Sequence, residues 1–289
     1  MQASGVYGFE IMKRIEFDKY RIEPVLTTPA IAKAAARNDS EYLLTGVLLS
    51  ESLSAQEIYE VESSLTFIEQ RRVLCTVPVS APSCDWSKQF SSDIGIVEQR
   101  SGGGSVIGDD NLFPGSRERF LAHLFQHLSD KPLVEETGFD FMYYKCVESC
   151  RLRRDILDII YFLLYSGLET YAKSITSMQD ERDASTPIAK LLQDSGFDFK
   201  HTDLQRPQRS VSTYTHLRNA LFHASSQEAK VNVNGQQVVY RLGEHIGTLT
   251  ILLPLIIMKA INFDDGHINW KRIDNRMYFR MPASGAAGC

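Results

Sequence analysis

Apolar and polar positions follow two different rhythms along this chain, and the change falls near residue 139. Before it, strand and helix spacings alternate. Residues 9–25 carry β-branched and aromatic side chains in rough alternation (Ile15, Phe17, Tyr20, Ile22), which predicts one or two strands. Residues 42–49 are an unbroken apolar run of the length of a buried strand. Ser54-Ala55-Gln56-Glu57 reads as a capping box: the Ser hydroxyl accepts from the third helical amide, while the Glu carboxylate reaches back to the Ser amide. Ile58, Val61, Leu65 and Ile68 then keep helical spacing as far as Arg71-Arg72. Residues 73–79 read as another strand, stopped by the Pro- and Ser-rich stretch 78–87. Residues 80–116 read as irregular connection, and 117–129 as a short helix bearing His123 and His127 on an exposed face.

From Phe139 the pattern is helical almost throughout. Residues 143–178 predict one long helix, or two joined near Gly167, with a broad stripe of Leu152, Ile156, Ile159, Ile160, Leu163, Leu164, Leu168 and Tyr171. Pro187 opens a short helix through Leu192 that Gly196 ends. Residues 210–226 form the next helix, with Tyr214, Leu217 and Leu221 on its apolar side. Asn234-Gly235 between β-branched residues predicts a hairpin within 230–241, and a last apolar helix runs over about 243–261. The fold class expected is α+β: a mixed N-terminal region (1–135), an all-α C-terminal bundle with a small β-hairpin insertion (136–281), and a disordered tail (282–289).

Composition narrows the class. With 43% hydrophobic and 23% charged residues, the chain has the make-up of a soluble globular protein. The run 246–261 is interrupted by Gly247, Thr248, Thr250, Pro254 and Lys259, which reads as too short and too polar for a span of about 20 residues. No secretory signal is visible at the N-terminus, so the expectation is a cytoplasmic protein without a membrane partner. The five cysteines (Cys75, Cys84, Cys146, Cys150, Cys289) are irregularly spaced and complete no four-ligand zinc set. His123 and His127 have Leu124 where a zinc protease has its Glu, and the cluster Ser101-Gly102-Gly103-Gly104-Ser105 lacks the GK[ST] ending of a phosphate loop. No metal and no cofactor are expected. The net charge of −5 is unevenly spread: 18 Lys and Arg against 16 Asp and Glu lie from Asp140 onward, leaving 13 against 20 before it. A polyanion is better received by the second half.

The chemistry-bearing segment there is Arg218-Asn219-Ala220-Leu221-Phe222-His223. At about 100° per residue, Asn219 and His223 stack on one helix face, while Arg218 lies about 140° from His223 and reaches it only by a swing of its side chain or through a second subunit. These residue types suit ribose-phosphate cleavage. An imidazole exchanges protons near neutrality, a guanidinium matches phosphate oxygens as charge builds in the transition state, and Asn219 donates to phosphate or fixes the imidazole tautomer. By spacing alone, Arg218 and His223 also fit an ordinary polar helix face.

Arg218-Asn219-(x)3-His223 resembles the R-x(4–6)-H motif of HEPN domains, in which a polar residue, often Asn, follows the Arg. The helix order (long, short, motif, final apolar) is similar to that of ApeA-like HEPN proteins of bacterial defence and toxin systems, over about half of the chain. The resemblance implies a homodimer in which two motif helices form one composite ribonuclease site. It also makes Glu169, on the first long helix, a residue that orients Arg218 or His223, or else a plain surface carboxylate. His216, Arg206 and Arg209 are further RNA-contact candidates, with a spectator role for His216 and a solvated loop for the two arginines as the alternatives. The Tyr that follows the His by two residues in toxins silenced by nucleotidyltransferases is here Ser225, so that mode of regulation is not implied.

The expected activity is metal-independent endoribonucleolytic cleavage to a 2′,3′-cyclic phosphate and a 5′-hydroxyl, by a toxin or antiphage effector. RNA is the expected partner, and the acidic N-terminal region would hold a regulatory protein or ligand. A non-catalytic HEPN scaffold, or a helical adaptor whose motif is coincidence, is the rival expectation.

Overall fold

The alternation over residues 15–24 becomes a tight hairpin, β2 (Ile15–Phe17) and β3 (Tyr20–Pro24), which turns Ile15, Phe17, Tyr20 and Ile22 inward. The computed structural model describes residues 1–38, 41–80, 86–95, 104–109, 111–152, 156–275, 277 and 279–280. The glycines at 102 and 103 and the tail from 282 lie outside these residues. The protein is α+β: its sheets are antiparallel, strands and helices alternate through the first 129 residues, and helices predominate after them. It forms two units: Met1–Ser129 with Cys150–Arg154 and Ile261–Cys289, and Asp130–Ser149 with Asp155–Ala260. The break thus comes at Ser129/Asp130 rather than at 135/136, and the chain from Ile261 belongs with the first unit, not with the helical one.

In the first unit, β1 (Gln2–Tyr7), α1 (Pro29–Ala36), β4 (Tyr42–Ser50), α2 (Ala55–Glu69), β5 (Leu74–Cys75), β6 (Val79–Ser80), β7 (Asp93–Ile94) and α3 (Ser116–Ser129) join the hairpin. The sheet runs β2-β3-β4-β1-β5, with β6 on β1 and β7 on β4, all antiparallel. Strand β1 is central, yet its Gln-Ala-Ser-Gly-Val-Tyr sequence carries no alternation from which to read it. Residues 73–79 give two short strands instead of one, and Pro78, which has no amide to donate, lies between them. The capping box forms: Ser54 Oγ accepts from the Glu57 amide at 3.2 Å, and the Ser54 amide donates to Glu57 Oε2 at 2.6 Å.

The centre of this unit is charged. Arg117 on α3 is 1% exposed, and its guanidinium donates to the Glu10 carbonyl and to Glu69 Oε1 at 3.2 Å. Glu69 Oε1 also accepts from the Glu10 amide at 3.1 Å, and the Phe9 ring lies 4.9 Å from the guanidinium carbon. Burial pushes the Glu69 carboxyl above its ordinary value, against the pull of Arg117.

In the second unit, α4 (Lys131–Thr137), α5 (Phe139–Arg151), α6 (Leu157–Ile175), α7 (Ser185–Asp194) and α8 (Val211–Ala224) are followed by β8 (Glu228–Val233), β9 (Gln236–Arg241) and α9 (Leu242–Ala260). A four-residue helix, α10 (Arg272–Asn275), lies in the last stretch of the first unit. Of the two sequence alternatives, one long helix or a joint near Gly167, neither holds: α5 ends at Arg151 and α6 begins at Leu157. Gly167 lies inside α6 because a Cβ there would stand 3.1 Å from the Met142 backbone; the residue permits a close helix crossing and does not end a helix. Asn234 (φ 51°) and Gly235 (φ 81°) make the left-handed turn that their dipeptide predicts, and β8 and β9 pair from Glu228–Arg241 to Val233–Gln236. At 19 residues and mean hydropathy 1.4, α9 is long and apolar enough to cross a bilayer by length and composition, contrary to the sequence expectation. Its Leu249, Leu252, Leu253 and Ile256 are buried in this fold.

Replacing Arg117 by Ala leaves the Glu69 carboxylate buried without its cation. Urea unfolding of Arg117→Ala is expected to show a loss of about 3–5 kcal/mol; a loss within 0.5 kcal/mol of zero, the range usual for surface substitutions, excludes the buried pair as an anchor.

Candidate active site

Helix α8 carries the motif, and its two sides have opposite tasks. Tyr214 and Leu217 are buried, and Leu221 is half-buried, so the expected apolar side faces the helical core, least completely toward the C-terminal end. Three tyrosine hydroxyls tie the helix down. Tyr161 donates to the Tyr214 carbonyl at 2.6 Å, Tyr214 donates to the Gln208 carbonyl at 2.8 Å, and Tyr165 shares a 2.8 Å bond with Thr215 Oγ1. Thr215 lies a further 2.8 Å from Ser185 Oγ on α7. Burial pushes the Tyr161 and Tyr165 hydroxyls well above the usual phenol range, so both stay protonated. The helix closes at Ser225, in left-handed conformation (φ 47°), with the Ser225 and Ser226 amides donating to the Leu221 and Ala220 carbonyls.

The opposite side is polar. Asn219 and His223 are exposed on one face, as the four-residue spacing predicts. Arg218 donates to Asn219 Oδ1 at 3.0 Å and lays its guanidinium 5.1 Å from the Phe222 ring. Arg218 and Asn219 are therefore together within one chain, whereas no bond joins either to His223 among the described residues. The 140° rotation between Arg218 and His223 accounts for that separation.

Glu169 on α6 is paired with Lys173 at 3.1 Å and lies near Lys145; no bond links it to Arg218 or His223 among the described residues. Tyr165 feels both the Glu169 and the Arg218 charge. Arg206 is occupied by two carboxylates, Asp198 at 2.6 Å and Asp203 at 3.1 Å, and Arg209 is 6% exposed with its guanidinium 5.1 Å from the Phe199 ring. Both arginines order the turn before α8 in this fold. His216 lies one turn before Asn219 on the same face, half-buried; burial lowers its affinity for a proton, with nearby Asp183 working the other way. Asp183 itself is bonded to His201 Nε2 at 2.7 Å and accepts from the Ser185 amide at 2.9 Å. Sequence reading misses this Asp183–His201 pair: the partners are 18 residues apart in loops, where no periodicity reports contact.

Beside the polar stripe lies an apolar surface. Phe141, Phe162 and Phe222 are 58%, 43% and 50% exposed. Phe162 and Phe222 meet edge-to-face at 5.3 Å, and Lys145 Nζ lies 5.9 Å from the Phe141 ring and 6.0 Å from Phe162. Ile156 and Ile159 extend the exposed run along α6. Among the described residues no three His, Cys, Asp or Glu side chains gather as a metal-ligand set, and Cys75, Cys146 and Cys150 form no disulfide. Comparison with known proteins gives no match: no family model fits the chain, and neither a curated protein nor a solved structure matches it.

Thr215 joins Tyr165 on α6 to Ser185 on α7, and because Ser185 is also bonded to Asp183, Thr215→Val leaves the Tyr165 hydroxyl without its partner. The expected cost is about 1–3 kcal/mol. It is read as a lower midpoint in thermal unfolding, and an unchanged midpoint rules out the hydroxyl chain as the element that fixes α8.

Proposed function

We propose that this protein is a metal-independent endoribonuclease of the HEPN type, in which His223 exchanges protons with the ribose and leaving-group oxygens and Arg218 stabilises the phosphorane. The observation that carries this reading is α8 itself: an Arg, an Asn and a His project from one helix whose other side is locked into the core. Asn219 holds Arg218 from below, which leaves the rest of the guanidinium fork for phosphate oxygens. The 2′-hydroxyl of RNA is the nucleophile, so cleavage gives a 2′,3′-cyclic phosphate and a 5′-hydroxyl. Glu169, engaged with Lys173, sets the charge around Tyr165 instead of contacting substrate. In a cell this activity suits a toxin or antiphage effector, and the acidic first unit suits a restraining or sensing role.

Purified protein is incubated with total RNA in EDTA beside Arg218→Ala and His223→Ala. Wild type is expected to cleave and leave cyclic phosphates, and each variant to lose about 10²–10⁴-fold in rate. Cleavage retained by His223→Ala removes His223 from the chemistry, whereas no cleavage by any of the three proteins makes the non-catalytic scaffold the better reading.

The active form in this reading is a homodimer. An exposed apolar run of Phe141, Ile159, Phe162 and Phe222 beside the motif is the kind of surface that a second copy covers. Sedimentation is expected to give a dimer for wild type and a monomer for Phe162→Asp; a monomeric wild type at micromolar concentration sinks this part of the proposal.

A further inference from the structure

Helix α1 leaves a space beside the sheet of the first unit. Its sequence, Pro-Ala-Ile-Ala-Lys-Ala-Ala-Ala, buries only alanines (Ala32, Ala35 and Ala36) where it packs near β4. A methyl group is too short to fill the gap between a helix and a sheet to the density of a protein interior. What remains is a cleft of about 530 Å³, within the range of about 300–1,000 Å³ that small-molecule sites occupy. Leu43 and Leu44 of β4 line it, together with Val25 and Leu26, where the chain leaves β3. Ile31, Ala34 and Ala35 come from α1, and Lys88, Phe90 and Ser92 from the segment before β7. Ile31 is 55% exposed, so the cleft keeps a large apolar side chain in water.

The walls are set by bonds that need no ligand. The Val25 amide donates to the Thr45 carbonyl, and the Leu44 amide to the Ser92 carbonyl, each at 2.9 Å. The Tyr7 hydroxyl donates to the Ser91 carbonyl at 2.9 Å. Phe90 packs on Ala3, Val47 and Leu49 and on Tyr7, Tyr42 and Leu44. A Cβ at Gly5 would stand 3.0 Å from its ring, so the glycine of β1 lets that ring lie close. A site already shaped in this way costs a ligand little in ordering the protein.

Polarity is confined to a few groups. The Ser92 hydroxyl donates to Asp93 Oδ2 at 2.9 Å, and Asn38 Oδ1 accepts from the Glu41 amide at 3.1 Å. Among the described lining residues Lys88 carries the only charge, and it is exposed, at the rim. An ammonium has three donors, so Lys88 can meet a carboxylate and keep another contact.

We propose that this cleft binds a small molecule with an apolar body and one carboxylate, of the type of a medium-chain fatty acid. The apolar body lies over Leu43, Leu44 and Phe90 and covers Ile31, which removes apolar surface from water. The carboxylate stays at the rim beside Lys88. The site belongs to the first unit alone and stands apart from the ribonuclease reading.

Calorimetric titration of the full chain with decanoate, below the concentration at which it forms micelles, and with decanol tests this. Wild type is expected to bind one decanoate. Ala34→Trp, which sets an indole in the cleft from an exposed helix position, is expected to lose at least about tenfold in affinity. Ile31→Ser, which removes part of the apolar wall, is expected to lose about 3–10-fold. Lys88→Met is expected to weaken decanoate about 2–5-fold and to leave decanol unchanged. Melting midpoints of the free variants separate a filled cleft from a lost fold, and Ile31→Ser carries the test if Ala34→Trp unfolds. No decanoate bound by wild type overturns the site, and so does undiminished binding in either folded cleft variant. Decanoate binding unchanged in Lys88→Met overturns the carboxylate as the recognised group.

Discussion

A buried tyrosine hydroxyl must find a partner, and in the helical unit three of them find it at or beside α8. Tyr161 reaches the Tyr214 carbonyl, Tyr165 reaches Thr215, and Tyr214 reaches Gln208. An unsatisfied hydroxyl in that interior costs about 1–3 kcal/mol, so these bonds fix the rotation of α8 more narrowly than apolar packing does. The exposed face then follows: with Tyr214 and Leu217 turned inward, Asn219, Phe222 and His223 can only face out. Asn219 and His223 are thus presented by a helix that has no freedom to turn.

Charge is arranged around that helix by neutralisation. Arg206 and Arg209, cations on the approach to α8, are occupied by Asp198, Asp203 and the Phe199 ring. Lys173 is paired with Glu169, and His201 with Asp183. Arg218, unlike Arg206, is held by a neutral amide and an aromatic face, neither of which cancels its charge. Among the described residues no carboxylate pairs with Arg218, and the His223 imidazole is exposed on the same helix.

The first unit solves a different problem with the same physics. Its sheet and helices are anchored on Arg117, a cation removed from water and held by the Glu10 carbonyl and the Glu69 carboxylate. Such a pair adds little net stability over an apolar core, yet it penalises any arrangement that parts its members. Around it, Phe17, Tyr20 and Phe125 form one aromatic cluster with centroids 5.1–5.4 Å apart, and Phe67 stacks on Phe120 at 5.3 Å.

Sequence by itself determined the features that are local. The capping box at Ser54, the Asn234-Gly235 turn, the extent of α8 and the shared face of Asn219 and His223 follow from short-range bonding and helix geometry, which act between residues a few positions apart. It missed β1, because a central strand of small residues is recognised by its neighbours on both sides and not by its own alternation. It offered one long helix or a joint near Gly167, where tertiary packing instead uses the missing Cβ for a close crossing. Arg206, Arg209 and Glu169 are legible as charged residues near the motif, but only the fold shows which charges are already taken. The Asp183–His201 pair, the hydroxyl chain through Thr215 and the aromatic surface beside Arg218 join residues distant in the chain. Their positions depend on how helices pack, and a linear pattern carries no record of which side chains packing brings within bonding distance.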